Sequence, residues 1–385
     1  MSRRNRDSRS RLFLLLIVGF LILVGVLYGP QTAIDLVFNA LGLESTPAAV
    51  HEEYAGTGEY YDVYFTNPVI PFDGVVTGGV DRHLVALIDA AETSVDAAMF
   101  EFNLQSVADA LIRAHERGVA VRVVYDDEHT QDDPQIGQLQ AAGIPTTPDG
   151  RSAFMHDKFF VFDGGTVWTG STNITENGVY RNNNNAIVIR SPAVAANYQS
   201  EFEEMFGGAF GPSSPPGVPN PTVEIGAARV DTLFGPEDPV IDRLIAIVNG
   251  AQTSIRFMAF SFTEDALGEA MRGRAAAGVD VAGVFETRGA NTEYSECPPM
   301  LAAGLDVRLD GNPRVLHHKV IVVDDQIVAV GSFNFSDNAA ESNDENLLII
   351  YDPSVAILYR QEFDRRQAEA RPPVGGECLS GEGDE

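Results

Sequence analysis

Lysine is almost missing from this chain. Of 26 basic residues in 385, only Lys158 and Lys319 are lysines, and the rest are arginines. Basic residues as a class are outnumbered by 55 acids, for a formal charge of −29. That balance excludes a basic nucleic-acid binder whose affinity comes from neutralising phosphates. Cysteine is limited to Cys297 and Cys378, and tryptophan to Trp168. What is present, 44% hydrophobic and 9% aromatic residues, is a globular composition and not a disordered one. The length suits two domains. A high-GC genome or a salt-adapted proteome that replaces Lys by Arg accounts for the scarcity of lysine, but not for where the two survivors stand.

The N-terminus is read as a membrane anchor. Residues 1–11 carry five arginines against Asp7, and residues 12–28 follow without a charge, rich in Leu, Ile, Val and Phe. Such a run reaches the lower limit for spanning a ~30 Å hydrocarbon core and exceeds the apolar region of a cleaved signal peptide. The basic flank predicts a cytoplasmic segment 1–11, a transmembrane signal-anchor 12–28 and an extracytoplasmic remainder at a cell membrane; secretion after cleavage is the alternative. Residues 29–385 then carry −33, because the first 28 contribute +4. In an oxidising compartment Cys297 and Cys378 are free to pair, and a bridge would dock the polar tail.

The main organising feature is a duplication. Ala91-Glu92-Thr93-Ser94-Val95 returns as Ala251-Gln252-Thr253-Ser254-Ile255, and Phe100-Glu101-Phe102 as Phe260-Ser261-Phe262. A period near 160 means two similar domains, not a solenoid. Each copy alternates helices (81–92, 104–117, 192–206; 239–249, 264–277, 353–368) with apolar strands (95–102, 119–125, 186–190; 255–262, 279–285, 346–351), an α/β pattern with a largely buried sheet. The expected division is a stalk and lead-in at 29–75, a first domain at 76–206, a Gly/Pro linker at 207–221, a second domain at 222–368 and a disordered acidic tail at 369–385.

Near the end of copy one stand His156, Lys158 and Asp163, then Gly170-Ser171-Thr172-Asn173 and Asn182-Asn183-Asn184-Asn185. At an offset of 161 stand His317, Lys319 and Asp324, Gly331-Ser332-Phe333-Asn334, and Asn343-Asp344-Glu345-Asn346. Both lysines fill the same slot of the duplicated pattern. The paired H-x-K-x4-D motifs, each with a downstream G-S-x-N, resemble the phospholipase D superfamily over about residues 80–365. The resemblance implies two tandem α-β-α sandwich domains related by a pseudo-twofold axis, here preceded by one transmembrane helix. It also implies a phosphodiesterase working through a phosphohistidine, with His156 as nucleophile and His317 as acid and base.

The residue chemistry agrees. Residues two apart on a strand share a face, so each His points the same way as its Lys. Displacement at a phosphodiester needs a nucleophile, an acid for the leaving oxygen and fixed positive charge on the other oxygens. Two imidazoles supply the first two, while Lys158, Lys319, Asn173 and Asn334, helped by Ser171 and Ser332, are assigned to phosphate binding. Asp163 and Asp324 lie seven residues from their histidines, roughly 23 Å along an extended strand, and are read as structural, pairing at the sheet end. Glu345 suits the support of a catalytic imidazole and Asn184 is its uncharged counterpart; which histidine each supports is left open. No metal or cofactor is expected.

Blander readings cover the remainder: His318 as a local strand residue, His51, His83, His115 and His129 as surface or packing residues, Asp126-Asp127-Glu128-His129 as a solvated loop and Trp168 as core. The expected substrate is the head-group linkage of a membrane phospholipid, hydrolysed or transferred. A metal-independent endonuclease and a non-catalytic membrane-tethered scaffold are the alternatives. With both half-sites in one chain, a monomer suffices.

Overall fold

The computed structural model describes residues 54–379. The expected basic segment 1–11 and anchor 12–28 lie outside these residues. Among the described residues no helix is long and apolar enough to cross a membrane.

Two eight-stranded sheets form the scaffold, each made by one repeat and alike in order. In the first sheet β1 (Tyr54–Thr57), β2 (Tyr61–Phe65), β8 (Asn185–Arg190), β7 (Thr166–Gly170), β6 (Lys158–Phe162), β3 (Ser94–Met99), β4 (Ala120–Tyr125) and β5 (Thr146–Pro148) lie side by side in that order. In the second, the same places are taken by β9 (Thr222–Ile225), β10 (Ala228–Gly235), β16 (Glu345–Tyr351), β15 (Ile327–Gly331), β14 (Lys319–Val323), β11 (Ser254–Ala259), β12 (Asp280–Phe285) and β13 (Asp306–Leu309). The sheets are mixed: β3 runs parallel to β4 but antiparallel to β6. The motif strands β6 and β14 are buried at every residue, which explains why they read as unbroken apolar runs instead of alternating ones.

Helices cover both faces. On the outer side of the first sheet lie α1 (Asp81–Ala90), α2 (Gln105–Glu116), a short α3 (Asp127–Thr130) and α4 (Gln135–Ala141), with Trp168 buried beneath them. After α5 (Glu176–Tyr180) comes α6 (Pro192–Phe206), and in the second repeat α7 (Val240–Gly250), α8 (Asp265–Ala276), α9 (Cys297–Ala302), α10 (Asp337–Glu341) and α11 (Pro353–Glu369) follow. The long helices α6 and α11 supply Tyr198, Phe202, Tyr359 and Phe363 to one apolar core that also holds Val161, Phe234, Val320 and Val328, so both repeats close over a single interior. The described residues, 54–379, belong to one compact unit.

Three expected segments need correction. The stalk 29–75 contains β1 and β2, whose residues pair with each other and with β8, so the first repeat starts near Tyr54. The linker 207–221 is docked and not free: the Gly211 amide donates to Asp344, and Asn220 exchanges hydrogen bonds with Asn197. The tail expected to be disordered from 369 is ordered through Leu379, because Arg371 pairs with Leu309 and Cys378 is bonded to Cys297 on α9. Residues 380–385 lie outside the described residues.

Candidate active site

The motif hairpins explain the place of both aspartates. Asp163 and Asp324 occupy left-handed conformations (φ 51° and 55°) in the turns that follow β6 and β14. Each folds its carboxylate back onto the start of a neighbouring strand. Asp163 accepts from the amides of Glu92, Thr93 and Ser94 and from the Thr93 hydroxyl, and Asp324 does the same at Gln252, Thr253 and Ser254. Partial burial opposes their ionisation, yet these donors hold both carboxyls below the ordinary range. They act each within its own repeat and do not pair with one another. Gly170 is needed for a close approach: a Cβ there would stand 2.5 Å from the Asn185 carbonyl oxygen.

At the opposite strand ends the two repeats interlock. The His156 amide donates to Asp344, and the His317 amide donates to Asn183, so each histidine is tied to the other repeat through its backbone. The side chains cross in the same way. His156 Nδ1 lies 2.7 Å from Glu345 Oε2, while His317 Nδ1 faces Asn184 Oδ1 at 3.0 Å and the Ser171 carbonyl at 2.9 Å. Asn184 turns its amide nitrogen to the Gly178 carbonyl, which fixes its oxygen toward His317. Two acceptors at His317 Nδ1 require the hydrogen there, leaving Nε2 with a free lone pair.

The lysines are fully buried. Lys158 Nζ donates to the His156 carbonyl and lies 4.7 Å from the Phe100 ring centre; Lys319 Nζ donates to the His317 carbonyl at 2.9 Å and lies 4.5 Å from Phe260. Phe100 and Phe260 also meet His156 and His317 edge-on at 4.6 and 4.7 Å. Burial, reinforced by the two ammoniums, drives both histidines well below the usual imidazole range. Burial lowers Lys158 to about 8 against the pull of Glu345 and Glu101, and raises Glu345 to about 8 against the pull of Lys158. The buried site therefore resists charge, and the His156–Glu345 pair holds one proton across its contact.

Two assigned residues do other work. Ser171 and Ser332 are wholly buried, donating to Asn184 Oδ1 (2.8 Å) and Glu345 Oε2 (2.7 Å) and accepting from the amides of Asn185 and Asn346. They brace the groups that orient the imidazoles and are not presented to a phosphate. Asn173 donates to Glu101, and the side-chain oxygens of Asn173 and Asn334 are buried without a partner.

Other site residues were misread or missed in the sequence, Asp126 and His129 as parts of a solvated loop and Glu286 altogether. Asp126 is buried, not solvated; it accepts from the Met155 amide at 3.2 Å, as Glu286 accepts from the Leu316 amide at 2.7 Å. Each carboxylate thus clamps the residue immediately before a motif histidine. Their shared position after β4 and β12 was the only available signal. His129, bonded to Asp126 at 2.8 Å, lies on Phe100 with Phe154 against it, so the first repeat's side of the site is filled by rings. In the duplication Gly289 stands for His129 and Val315 for Phe154. A cleft of about 300 Å³ opens there, lined by Phe260, Phe262, Phe285, Arg288, Gly289 and Tyr294 among others. His318 points away from the phosphate side, buried between Asn185 (2.9 Å) and Glu362 (3.3 Å).

The family model described as cardiolipin synthase, PLD-like domain, matches residues 84–206 and again 244–367, more than half of the chain. The chain belongs to this family and carries two copies of its domain. A mitochondrial cardiolipin hydrolase of Xenopus tropicalis is 36% identical over 131 residues, 34% of this chain and 62% of that protein. A phospholipase D of Rickettsia conorii is 30% identical over 145 residues, 38% of this chain and 72% of that protein. The chain spans about 60% of the length of the Xenopus cardiolipin hydrolases it matches. A solved phosphatidylserine synthase of Haemophilus influenzae aligns with 85% of this chain and 90% of its own, with a TM-score of 0.62 at 16% identity, a likeness of fold.

Proposed function

We propose that the chain is a phospholipase D-type phosphodiesterase acting on the head-group linkage of membrane phospholipids, by hydrolysis or by transfer to another alcohol. The observation that carries this reading is the crosswise pair of imidazoles, each bound at Nδ1 by the other repeat and each left with Nε2 for chemistry. His156 Nε2 attacks phosphorus, forming a P–N bond as the P–O bond to the leaving alcohol breaks. His317 Nε2 gives its proton to the departing oxygen; the arriving phosphodiester anion is what lets this buried ring take up that proton. The phosphorylated His156 ring is cationic, and Glu345 offsets its charge. Water then gives a proton to His317 Nε2 and attacks phosphorus, and the P–N bond breaks. Lys158 and Lys319 neutralise the non-bridging oxygens. The leaving alcohol departs toward the cleft beside Phe260, on the His317 side. An anchor at 12–28 would hold this site beside a leaflet, outside the cytoplasm, and one chain contains both half-sites.

The test is an assay of the full chain and of His156→Ala on phosphatidylcholine, phosphatidylglycerol and cardiolipin vesicles and on single-stranded DNA. Head-group or alcohol release that the variant abolishes supports the reading. Cleavage of DNA with intact lipid overturns it in favour of the endonuclease.

A further inference from the structure

Strand β3 ends at Met99, which pairs with Lys158, and the Phe100 amide then donates to the Asp157 carbonyl. The next residue, Glu101, is thereby fixed beside the first motif. A bridge between Phe102 and Ile174 sets Glu101 alongside Asn173, and the Asn173 side-chain nitrogen donates to its carboxylate. Among the described residues no cation stands within ion-pair distance of Glu101. Its charge still reaches both buried ammoniums and favours the protonated form of each.

The second repeat builds the same backbone without the acid. Ala259 pairs with Lys319, the Phe260 amide donates to the His318 carbonyl, and a Phe262–Phe335 bridge sets Ser261 alongside Asn334. Ser261 lines the open cleft. The carboxylates that both repeats share, Asp126 and Glu286, each accept the amide just before a motif histidine and so have a structural task. Glu101 has no acidic counterpart, so the fold does not require an acid at this place.

We propose that Glu101 is a specificity-determining residue that holds the site to singly charged phosphodiesters and turns away doubly charged phosphomonoesters. Two ammoniums by themselves favour the more highly charged ligand. The Asn173 side chain has two amide hydrogens. Glu101 takes one, so a phosphate oxygen on the other stands next to a carboxylate. The repulsion grows with the charge of the ligand, and a site shut off from water screens it poorly. A diester carries one negative charge, whereas a monoester gains a second above about pH 6. Hydrolysis converts the first into the second, and transfer to an alcohol yields another diester. Glu101 thus speeds release of the hydrolysis product and leaves the transfer product unaffected. This inference rests on the phosphodiesterase reading and is independent of which head group leaves.

The test measures inhibition of aryl phosphodiester turnover by ethyl phosphate, a monoester, and by diethyl phosphate, a diester, at neutral pH. The proteins are the full chain, Glu101→Gln, Glu101→Asp and Glu101→Ser, the last copying the second repeat. Glutamine keeps an acceptor for Asn173 and removes only the charge. The ratio of the two inhibition constants should shift roughly tenfold or more toward the monoester in Glu101→Gln and in Glu101→Ser. It should stay near the parent value in Glu101→Asp. A ratio unmoved in Glu101→Gln, with both probes weakened alike, overturns the proposal and leaves Glu101 only the orientation of Asn173. A shift of the same size in Glu101→Asp also overturns it, because the charge is then not the cause. Direct calorimetric titration with the two probes checks the same ratio without turnover. A parent that turns over no lipid, nucleic acid or aryl diester would instead sink the phosphodiesterase reading. A parent that turns over a diester while the ratio stays fixed sinks the role of Glu101 alone.

Discussion

Glu345 and His156 belong to different repeats, and their side chains meet at 2.7 Å in the buried centre of the molecule. Their counterparts, Asn184 and His317, meet at 3.0 Å with no formal charge on the acceptor. The duplication has therefore kept the geometry of two imidazole supports while making their electrostatics unequal. An anionic support favours the ring that becomes cationic on phosphorylation, and a neutral one favours the ring that must pass a proton back and forth.

The inequality predicts unequal losses. A hydrogen bond to a charged group contributes about 1.5–3 kcal/mol and a neutral one about 0.5–1.5 kcal/mol. Glu345→Ala should thus lower kcat roughly 10- to 100-fold and Asn184→Ala roughly 2- to 10-fold. Glu345→Gln, which keeps an acceptor but not the charge, should fall between. Equal losses in steady-state kinetics would show that the carboxylate only positions the ring.

The division of labour is separable by trapping. With an aryl phosphodiester, whose leaving group needs little protonation, His317→Ala should still form the P–N bond but fail to hydrolyse it. It should give a burst of one phenolate per chain and a phosphorylated protein visible by mass spectrometry. His156→Ala should give neither. The reverse pattern would exchange the two roles.

Lysine at 158 and 319 is a matter of room as well as charge. Each ammonium is enclosed by a carbonyl and a phenyl ring, and neither side chain is exposed. A guanidinium fork would have to displace the Phe100 or Phe260 ring that also borders the imidazole. Lys158→Arg and Lys319→Arg should each lose roughly 100-fold or more in kcat/KM, although Arg is the cation this chain uses everywhere else. Full activity in either would mean that composition alone explains the two lysines.

The lowered proton affinity of Lys158 also shapes the pH profile. Its charge is present below about 8 and lost above it, and burial beside Lys158 drives Lys319 well down too, so kcat/KM should fall as pH rises toward and through about 8. In kcat the limb should move higher, because bound phosphodiester stabilises the ammonium. A flat kcat/KM profile from pH 7 to 9.5 would show that neither buried ammonium limits phosphate binding in that range.

Much of this site was legible because its parts recur at a fixed offset. The histidines, lysines, aspartates and G-S-x-N segments all announce themselves twice. What could not be read is which repeat each side chain serves. Spacing along β16 does not say that Glu345 reaches His156 and not His317. Ser171 and Ser332 carry the right chemistry for a phosphate, and only their burial commits them to Asn184 and Glu345. Phe100 and Phe260 were visible as repeat markers, but not as walls of the site. Strands β1 and β2 were passed over because Tyr54–Phe65 is short, broken by glycines and remote in sequence from its partner β8.

One difference between the repeats bears on stability and not on catalysis. The residue between His and Lys is Asp157 in the first motif and His318 in the second. His318 faces Glu362, which is also paired with Arg365 and Arg366. Asp157 instead lies in a buried acidic group with Glu201, Glu237 and Asp344. Asn346 donates to one Asp157 oxygen at 2.6 Å, and the other oxygen has no partner. Burial raises Asp157, Glu237 and Asp344 to about 7 and Glu201 well above the carboxylate range. The folded state therefore retains protons that the unfolded chain releases near pH 4. The contribution of these four acids to stability therefore falls as pH rises between about 4 and 7, the opposite of the usual acid-side loss. Glu201→Gln removes one of these titrations. It should raise the unfolding temperature at pH 8 and change it little at pH 5, where the acid is neutral in the folded state. Thermal melts at the two pH values decide the matter, since the general repulsion of a chain with −29 charge changes by only one unit in the variant. An equal shift at both would show that Glu201 is held by packing alone.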